Sequence, residues 1–349
     1  MIDKNYCMSS FLAFRYIADD NKDFAEGMHH MLCKRVPETY KKLISDADDA
    51  ELVIQNTIRM VRGERLGIML SGGMDSAILA SFLPKGTDAY TFRFLGGNFQ
   101  SDELRRAEQF AQLYGLHLHY VDIDWTTVER NVDIVMNNRQ APVHSIEPQI
   151  YEAAMQAKAD GVTMMVIGDE SDYVFGGMNG LYSQDWDYQS FIDRYIYVNP
   201  QEVLCDPADI SSVFEPYRLG PNSLNWIQLM DEIMVDESRQ SYLNAFTAAG
   251  LSYIDPYSIM KMAHPLDIKR LRNGDSKYII RDLFRRRYPE FNVPEKLPMP
   301  RPVDKYFETW EGPHRDEFRK DIDLSRYKGN QRWLIWCLER FLNNMEKQQ

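Results

Sequence analysis

Two short stretches of this chain carry residue types suited to anion and cation chemistry. The first, LSGGMDS, spans residues 70 to 76 and lies between the apolar run Leu66-Gly67-Ile68-Met69 and the helix-like Ala77-Ile78-Leu79-Ala80-Ser81-Phe82. Gly72 and Gly73 permit positive φ and close backbone approach, so successive N–H groups can form an anion-binding concavity. Ser71 and Ser76 add hydroxyl donors, and the N-terminus of the following helix adds potential favourable to phosphate. Asp75 is out of place in such a cradle, because a carboxylate repels phosphate unless a divalent cation lies between them. It points to Mg²⁺, which takes one or two carboxylates together with phosphate oxygens and water. SGG alone also reads as a tight turn with a helix cap. No G-x-x-x-x-G-K-[ST] occurs, which excludes the common P-loop. The second stretch, GDESDYVFGG, residues 168 to 177, follows VTMMVI and offers Asp169, Glu170 and Asp172 between glycines.

Each stretch needs a strand end beneath it, and residues 61–185 supply that cadence. RLGIML reads as a buried strand, DAYTFRF as a second by its aromatic and threonine content, LHLHYVDI as a third and VTMMVIG as a fourth. Between them, ELRRAEQFAQLYG places Leu104, Ala107, Ala111 and Tyr114 on one helical face with Gly115 as stop, and PQIYEAAMQAKADG repeats the pattern. Strands alternating with helices predict an α/β fold with a parallel sheet and right-handed crossovers. Residues 1–60 read as a mainly helical leader. Residues 186–349 read as a helical C-terminal part that completes the acceptor site, with few strand signals. There NQRWLIWCLERFLNNM sets Trp333, Trp336, Cys337, Phe341 and Met345 at helical spacing, a core stripe. The proline-bearing segment 200–222 reads as a long surface excursion.

Composition narrows the function classes. Hydrophobic residues make up 44% and charged residues 26% of 349, a globular balance. No apolar run approaches the roughly 18 residues that span a bilayer, and the N-terminus lacks the features of a signal peptide. Cys7, Cys33, Cys205 and Cys337 have neither metal-like nor redox-like spacing and read as reduced packing residues of a cytoplasmic protein. The net charge of −12 disfavours a nucleic-acid surface. The basic run at Arg285 to Arg287 reads as a solvated helix face, and His144, just before a helix, as a loop residue near a substrate pocket.

SGGMDS resembles the PP-loop of the ATP pyrophosphatases, which cleave ATP between the α and β phosphates. The second stretch resembles a signature of the asparagine synthetase synthetase domain, Gly-(Asp/Glu)-Gly-x-Asp-Glu-x-x-Gly-Gly-Tyr. Gly168, Asp169, Asp172, Gly176 and Gly177 match it; Glu170, Tyr173 and Met178 depart from it. Further agreement lies in FRFLGGNFQSDELRRAEQF after the PP-loop, in SKYIIRDLFRRRYPEFNVPEKLPMPRP and in the leader SSFLAFRYIADD. The resemblance implies a PP-loop (adenine nucleotide alpha hydrolase-like) core. ATP would be bound by Leu70, Ser71, Gly72, Gly73, Asp75, Ser76 and Gly168, with Phe92 or Arg93 near the base and Asp102-Glu103 capping a helix. It implies Mg²⁺ on Asp75 and Asp172, and Lys296 reaching the active site, with Lys277 and Arg281 on the helix preceding it. The family's E-x-R-x-P-F-L-D appears only as LSYIDPYSIMKMAHPLD, residues 251 to 267, without its Glu and Arg, so aspartate is not assured as the substrate.

The implied chemistry is adenylation of a small-molecule carboxylate, with loss of pyrophosphate, followed by attack of ammonia or an amine. Asp169, or alternatively Glu170, would act as general base, and Lys296 would stabilise developing charge. The family's glutaminase cysteine after the initiator methionine is not matched, since residue 2 is Ile2. Ammonia would then come from solution or from a separate glutaminase partner. Intramolecular closure, as in β-lactam synthetase, is the alternative. A tRNA-modifying activity is the reading from another class, and a homo-oligomer is compatible with the sequence.

Overall fold

The computed structural model describes residues 1–95, 101–295, 299, 301 and 303–348. Its centre is a five-stranded, wholly parallel sheet in the order β4-β3-β2-β5-β8, made of β2 (Leu66–Met69), β3 (Asp88–Phe94), β4 (His117–Ile123), β5 (Met164–Val166) and β8 (Ser252–Ile254). Two small sheets flank it: β1 (Lys42–Ile44) runs parallel to β9 (Met260–Met262), and β6 (Arg218–Gly220) pairs antiparallel with β7 (Ser223–Leu224). The four strands read from 61–185 are present, and β3 has the bounds that DAYTFRF predicts. The central strands are buried on both faces, as a parallel sheet requires.

Helices cover the two faces as two cores. On one lie α2 (Ala47–Met60), α3 (Met74–Ala80), α4 (Ser101–Tyr114) and the helix Tyr278–Arg287, which together bury Ile54, Ile78, Phe110, Leu283 and Phe284. On the other lie α1 (Lys4–Phe14), α5 (Trp125–Arg139), α6 (Glu147–Ala159), the helix Val235–Ala249 and the C-terminal helix Gly329–Gln348. The tryptophan stripe is core: Trp333 and Cys337 are fully buried, and the Trp333 indole N–H donates to the Val143 carbonyl (2.8 Å). Gly115 (φ 66°) and Gly161 (φ 89°) follow α4 and α6 in the left-handed conformation that stops a helix.

Three expectations need correction. The sheet's fifth strand, β8, comes from the part read as helical, and three residues are too few to show a strand period. The leader is α-helical only at its ends, and between α1 and α2 the chain is mostly irregular apart from a 3-10 turn (Glu38–Tyr40) and β1. Segment 200–222 is no surface excursion: Val203, Leu204, Phe214 and Tyr217 are buried, and Pro200 and Pro216 open short helical turns, a position where the missing N–H costs nothing.

Candidate active site

Strand order alone fixes where a ligand should lie. The chain passes from β2 to β3 and β4 on one side and then crosses to β5 and β8 on the other, so β2 and β5 flank the switch point. Loop 70–73 leaves the carboxyl end of β2, and the turn 167–170 leaves that of β5. A cavity of about 210 Å³ opens between them, lined among others by Leu70, Ser71, Ser76, Phe92, Gly168, Asp169 and Asp172. A larger groove of about 870 Å³ lies at the amino ends of β2, β3 and β4, away from both motifs.

The PP-loop is closed on itself. The Ser71 N–H donates to Ser76 Oγ (3.0 Å), the two hydroxyls lie 2.9 Å apart, and the Gly73 N–H donates to Ser71 Oγ (3.1 Å). The glycines serve close approach rather than positive φ, which neither adopts. A Cβ on Gly72 would collide with the Glu103 carbonyl oxygen at the start of α4 and lie 2.8 Å from Glu103 Cα. Arg106 Nε, one turn further on, donates to the Gly72 carbonyl (2.8 Å) and fastens the loop to that helix.

Asp75 and Asp172 meet. Oδ1 of Asp75 and Oδ1 of Asp172 both accept from Lys277 Nζ, the second at 3.0 Å, and the Ser171 hydroxyl also donates to Asp75 Oδ1 (2.8 Å). Burial works to lower the Lys277 pKa, but the two facing carboxylates outweigh it and hold the ammonium above its ordinary value. Two carboxylate oxygens from neighbouring strand ends therefore converge on one cationic group, the Lys277 ammonium, beside loop 70–73. No cluster of three or more metal-ligating side chains occurs among the described residues. The donor set thus fits a Mg²⁺ ion completed by phosphate and water rather than a closed protein site.

Lys277 is the site residue that the sequence reading left on a helix. It precedes Tyr278–Arg287 with a left-handed backbone (φ 55°), and its side chain is 5% exposed. The family resemblance placed Lys277 on the helix before Lys296 without giving it a role, and a lysine at a helix N-terminus, which opposes the helix dipole, was the physical signal of one. Asp255, just after β8, was also missed. Its Oδ2 accepts from the N–H groups of Asp169 (3.0 Å) and Glu170 (2.9 Å), and its Oδ1 from that of Tyr257 (2.9 Å), so it shapes the second turn.

The two candidate bases separate cleanly. Glu170 is buried and gripped by both forks of Arg239 (Nε–Oε1 2.8 Å, Nη2–Oε2 2.7 Å), and it does not line the cavity. Asp169 lines the cavity and takes one hydrogen bond, from Ser238 Oγ (2.6 Å). Burial, then Asp255, push its pKa well above the usual carboxylate range, with Ser238 opposing. Phe92 lies in the cavity wall, whereas Arg93 turns outward to Asp122 (2.6 Å). Lys296 lies outside the described residues.

Gly177 explains the paired glycines of the second motif. Its Cβ would fall on the Asp172 carboxylate and 2.8 Å from the Lys277 side chain. Those atoms are the far ends of side chains, which can swing away. Gly177→Ala is therefore expected to fold with a melting temperature near that of the wild type. Its Asp172 would be displaced from the shared point, and pyrophosphate release from ATP would fall about tenfold to a thousandfold. A variant that melts normally and keeps full turnover would show that Asp172 need not stand there.

The family profile for asparagine synthase matches residues 50–254, which takes in both motifs and β8. No curated protein matches the chain significantly. Among solved structures, the U34-tRNA thiolase NcsA from Methanococcus maripaludis is 14% identical over 72% of this chain and 82% of its own, with a TM-score of 0.29. NMN synthetase from Francisella tularensis is 14% identical over 73% and 99%, also at 0.29. A predicted tRNA methyltransferase subunit from Methanocaldococcus jannaschii is 16% identical over 65% and 92%, at 0.23. Likenesses this weak carry no argument about function. Among the described residues no helix is long and apolar enough to cross a membrane.

Proposed function

The chain belongs to the asparagine synthase family, and we propose that it is an ATP-dependent ligase that joins a small-molecule carboxylic acid to ammonia or an amine, with release of AMP and pyrophosphate. One observation carries the reading. Asp75 and Asp172 converge on a single cation position at the switch point, and Asp169 faces the same cavity.

In this reading the substrate carboxylate attacks the α phosphorus of ATP, the bond to the β phosphate breaks, and an acyl-adenylate remains. Ser71, Ser76 and the loop N–H groups hold the departing pyrophosphate, and Lys277 supplies a fixed positive charge beside it. Mg²⁺, when held by Asp75 and Asp172, would act there as a Lewis acid on phosphate oxygens. Phe92 offers an aromatic face to the base. Asp169 takes the proton that the attacking nitrogen must shed, and burial together with Asp255 raises its proton affinity above that of an ordinary carboxylate. The amine adds to the acyl carbon, and AMP leaves.

The test is pyrophosphate release from ATP and Mg²⁺ against a panel of carboxylic acids, with and without ammonium. Release that depends on one acid supports adenylation, and an amide product that appears only with ammonium identifies the nitrogen source. Product without added amine would favour ring closure. ATP binding without release from any acid, but with release on addition of tRNA, would overturn the reading.

A further inference from the structure

A second charged cluster stands beside the cavity, and the steps above make no use of it. Arg15 ends α1 in the left-handed region (φ 68°), a conformation rare for a non-glycine residue and one that tends to mark functional positions. Its guanidinium pairs with Glu237 (2.5 Å) and stacks 3.5 Å above the centre of the Tyr197 ring. Nη1 of Arg15 lies 2.8 Å from His144 Nε2. Nη1 of Arg301 lies 2.9 Å from that same nitrogen and 3.1 Å from Ser145 Oγ.

The charges here do not balance. Arg139 is matched by Glu147 (2.6 Å), but Arg15 and Arg301 share the single carboxylate of Glu237, which is hydrogen-bonded to Arg15 and acts on Arg301 only through its charge. His144 cannot help, since burial and then Arg15 and Arg301 hold it neutral, well below its ordinary pKa. Burial and then Arg15 also push the Arg301 guanidinium down to about 10. Arg15 Nε is buried without a partner. Partly desolvated cations are favoured by a matching opposite charge, and the surplus positive charge here suits an anionic ligand. His144 is 3% exposed whereas both arginines remain partly exposed, so the cluster faces outward.

Its position is on the Asp169 side of the cavity. Glu237 adjoins Ser238, whose hydroxyl donates to Asp169, and Met299, in the cavity wall, precedes Arg301 by two residues. We propose that Arg301, backed by Arg15 and His144, is a recognition subsite for a second anionic group of the acid substrate, so that one carboxylate is activated while the other anion is held here. The assignment rests on the ligase reading for its role in catalysis, though its charge imbalance is independent of it.

The test uses the full chain loaded with Mg²⁺ and α,β-methylene-ATP, which fills the phosphate cradle and cannot release pyrophosphate. Thermal unfolding is followed with dicarboxylic acids of malonate to adipate length and with their monoamides. Phosphoglycolate beside glycolate separates a phosphate from a carboxylate as the second group. Dianions are expected to stabilise the wild type more than their singly charged partners. In Arg301→Met the advantage should fall about tenfold to a hundredfold in apparent affinity, with partial rescue in Arg301→Lys. Stabilisation by the nucleotide analogue should persist in both variants, which certifies the fold. The proposal is overturned if the wild type shows no preference for any dianion, or if the preference survives in Arg301→Met. Loss of the preference in Arg301→Met, combined with no pyrophosphate release from ATP and any acid, would sink the ligase reading and leave the subsite standing.

Discussion

Asp75→Ala is expected to lower Mg²⁺- and ATP-dependent pyrophosphate release by about a thousandfold or more while leaving the chain folded. The size of the effect follows from what the residue does. Among the described residues, Asp75 supplies one of the two carboxylates that converge on the Lys277 ammonium, and the alanine halves the negative charge there. Charge stabilisation of a leaving group by a bound metal contributes several kcal/mol, and about 1.4 kcal/mol corresponds to each tenfold in rate. The fold should tolerate the change. Lys277 keeps Asp172 at 3.0 Å, and the Asp75 and Asp172 side chains are 25% and 26% exposed, so water screens the remaining pair. The stability loss should lie nearer the ~1 kcal/mol of an exposed ion pair than the 3–5 kcal/mol of a fully buried one. Thermal unfolding, nucleotide binding without metal and pyrophosphate release together check the expectation. A folded Asp75→Ala protein that retains more than about a tenth of the wild-type rate would remove Asp75 from the cation site.

The position of Lys277 adds a consequence. Its ammonium bridges the two carboxylates that would hold Mg²⁺ in the proposed reaction. Lys277 stands with a left-handed backbone at the start of the helix Tyr278–Arg287, and the hydroxyl of Tyr288, which follows this helix, donates to the Ala77 carbonyl of α3. The helix after loop 70–73 and the lysine are thus tied to one another through the core.

Local features were the legible ones. The strand-turn-helix unit around SGGMDS, the strand before GDESDYVFGG and the placement of Asp75, Asp172, Asp169 and Phe92 at one sheet edge all follow from short-range pattern and from the rule for switch points. What escaped depends on contacts distant in sequence. β8 has three residues and owes its place to pairing with β5 across 88 positions, as in Met164↔Ser252. Asp255 reads as a turn residue until its carboxylate is seen under the N–H groups of Asp169 and Glu170. Glu170 differs from Asp169 only through Arg239, 69 residues away, which neutralises one acid and leaves the other facing the cavity. Arg15 lies in SSFLAFRYIADD with no role legible there; its left-handed turn and its pairing with Glu237, 222 residues on, appear only in the fold. Sequence spacing does not encode such pairings, because they are set by which layers stack on which face.

Asp169→Asn is expected to reduce amide formation by about a hundredfold to ten-thousandfold, with a smaller effect on pyrophosphate release in the absence of amine. Asparagine keeps the shape and can still accept the Ser238 hydrogen bond, so the loss isolates proton transfer from architecture. The pH dependence sharpens the test. The charged and titratable groups facing Asp169 include Asp255, Glu170, Glu237, Tyr173, Tyr242 and Tyr253, and the carboxylates among them all favour its neutral form, as does burial. The base must be ionised to act, so wild-type activity should fall on the acid side with a midpoint well above the ~4 of an ordinary aspartate, and that limb should vanish in the residual activity of Asp169→Asn. Stability should move the opposite way. A carboxyl whose folded pKa is raised favours folding below its unfolded pKa of ~3.9, and that contribution is lost as pH rises through the folded pKa. The wild type should therefore lose stability relative to Asp169→Asn on going from mildly acidic to alkaline buffer, where its activity is greatest. A variant that forms amide at the wild-type rate, or whose stability tracks the wild type across that range, would show that Asp169 neither takes the proton nor carries a buried charge.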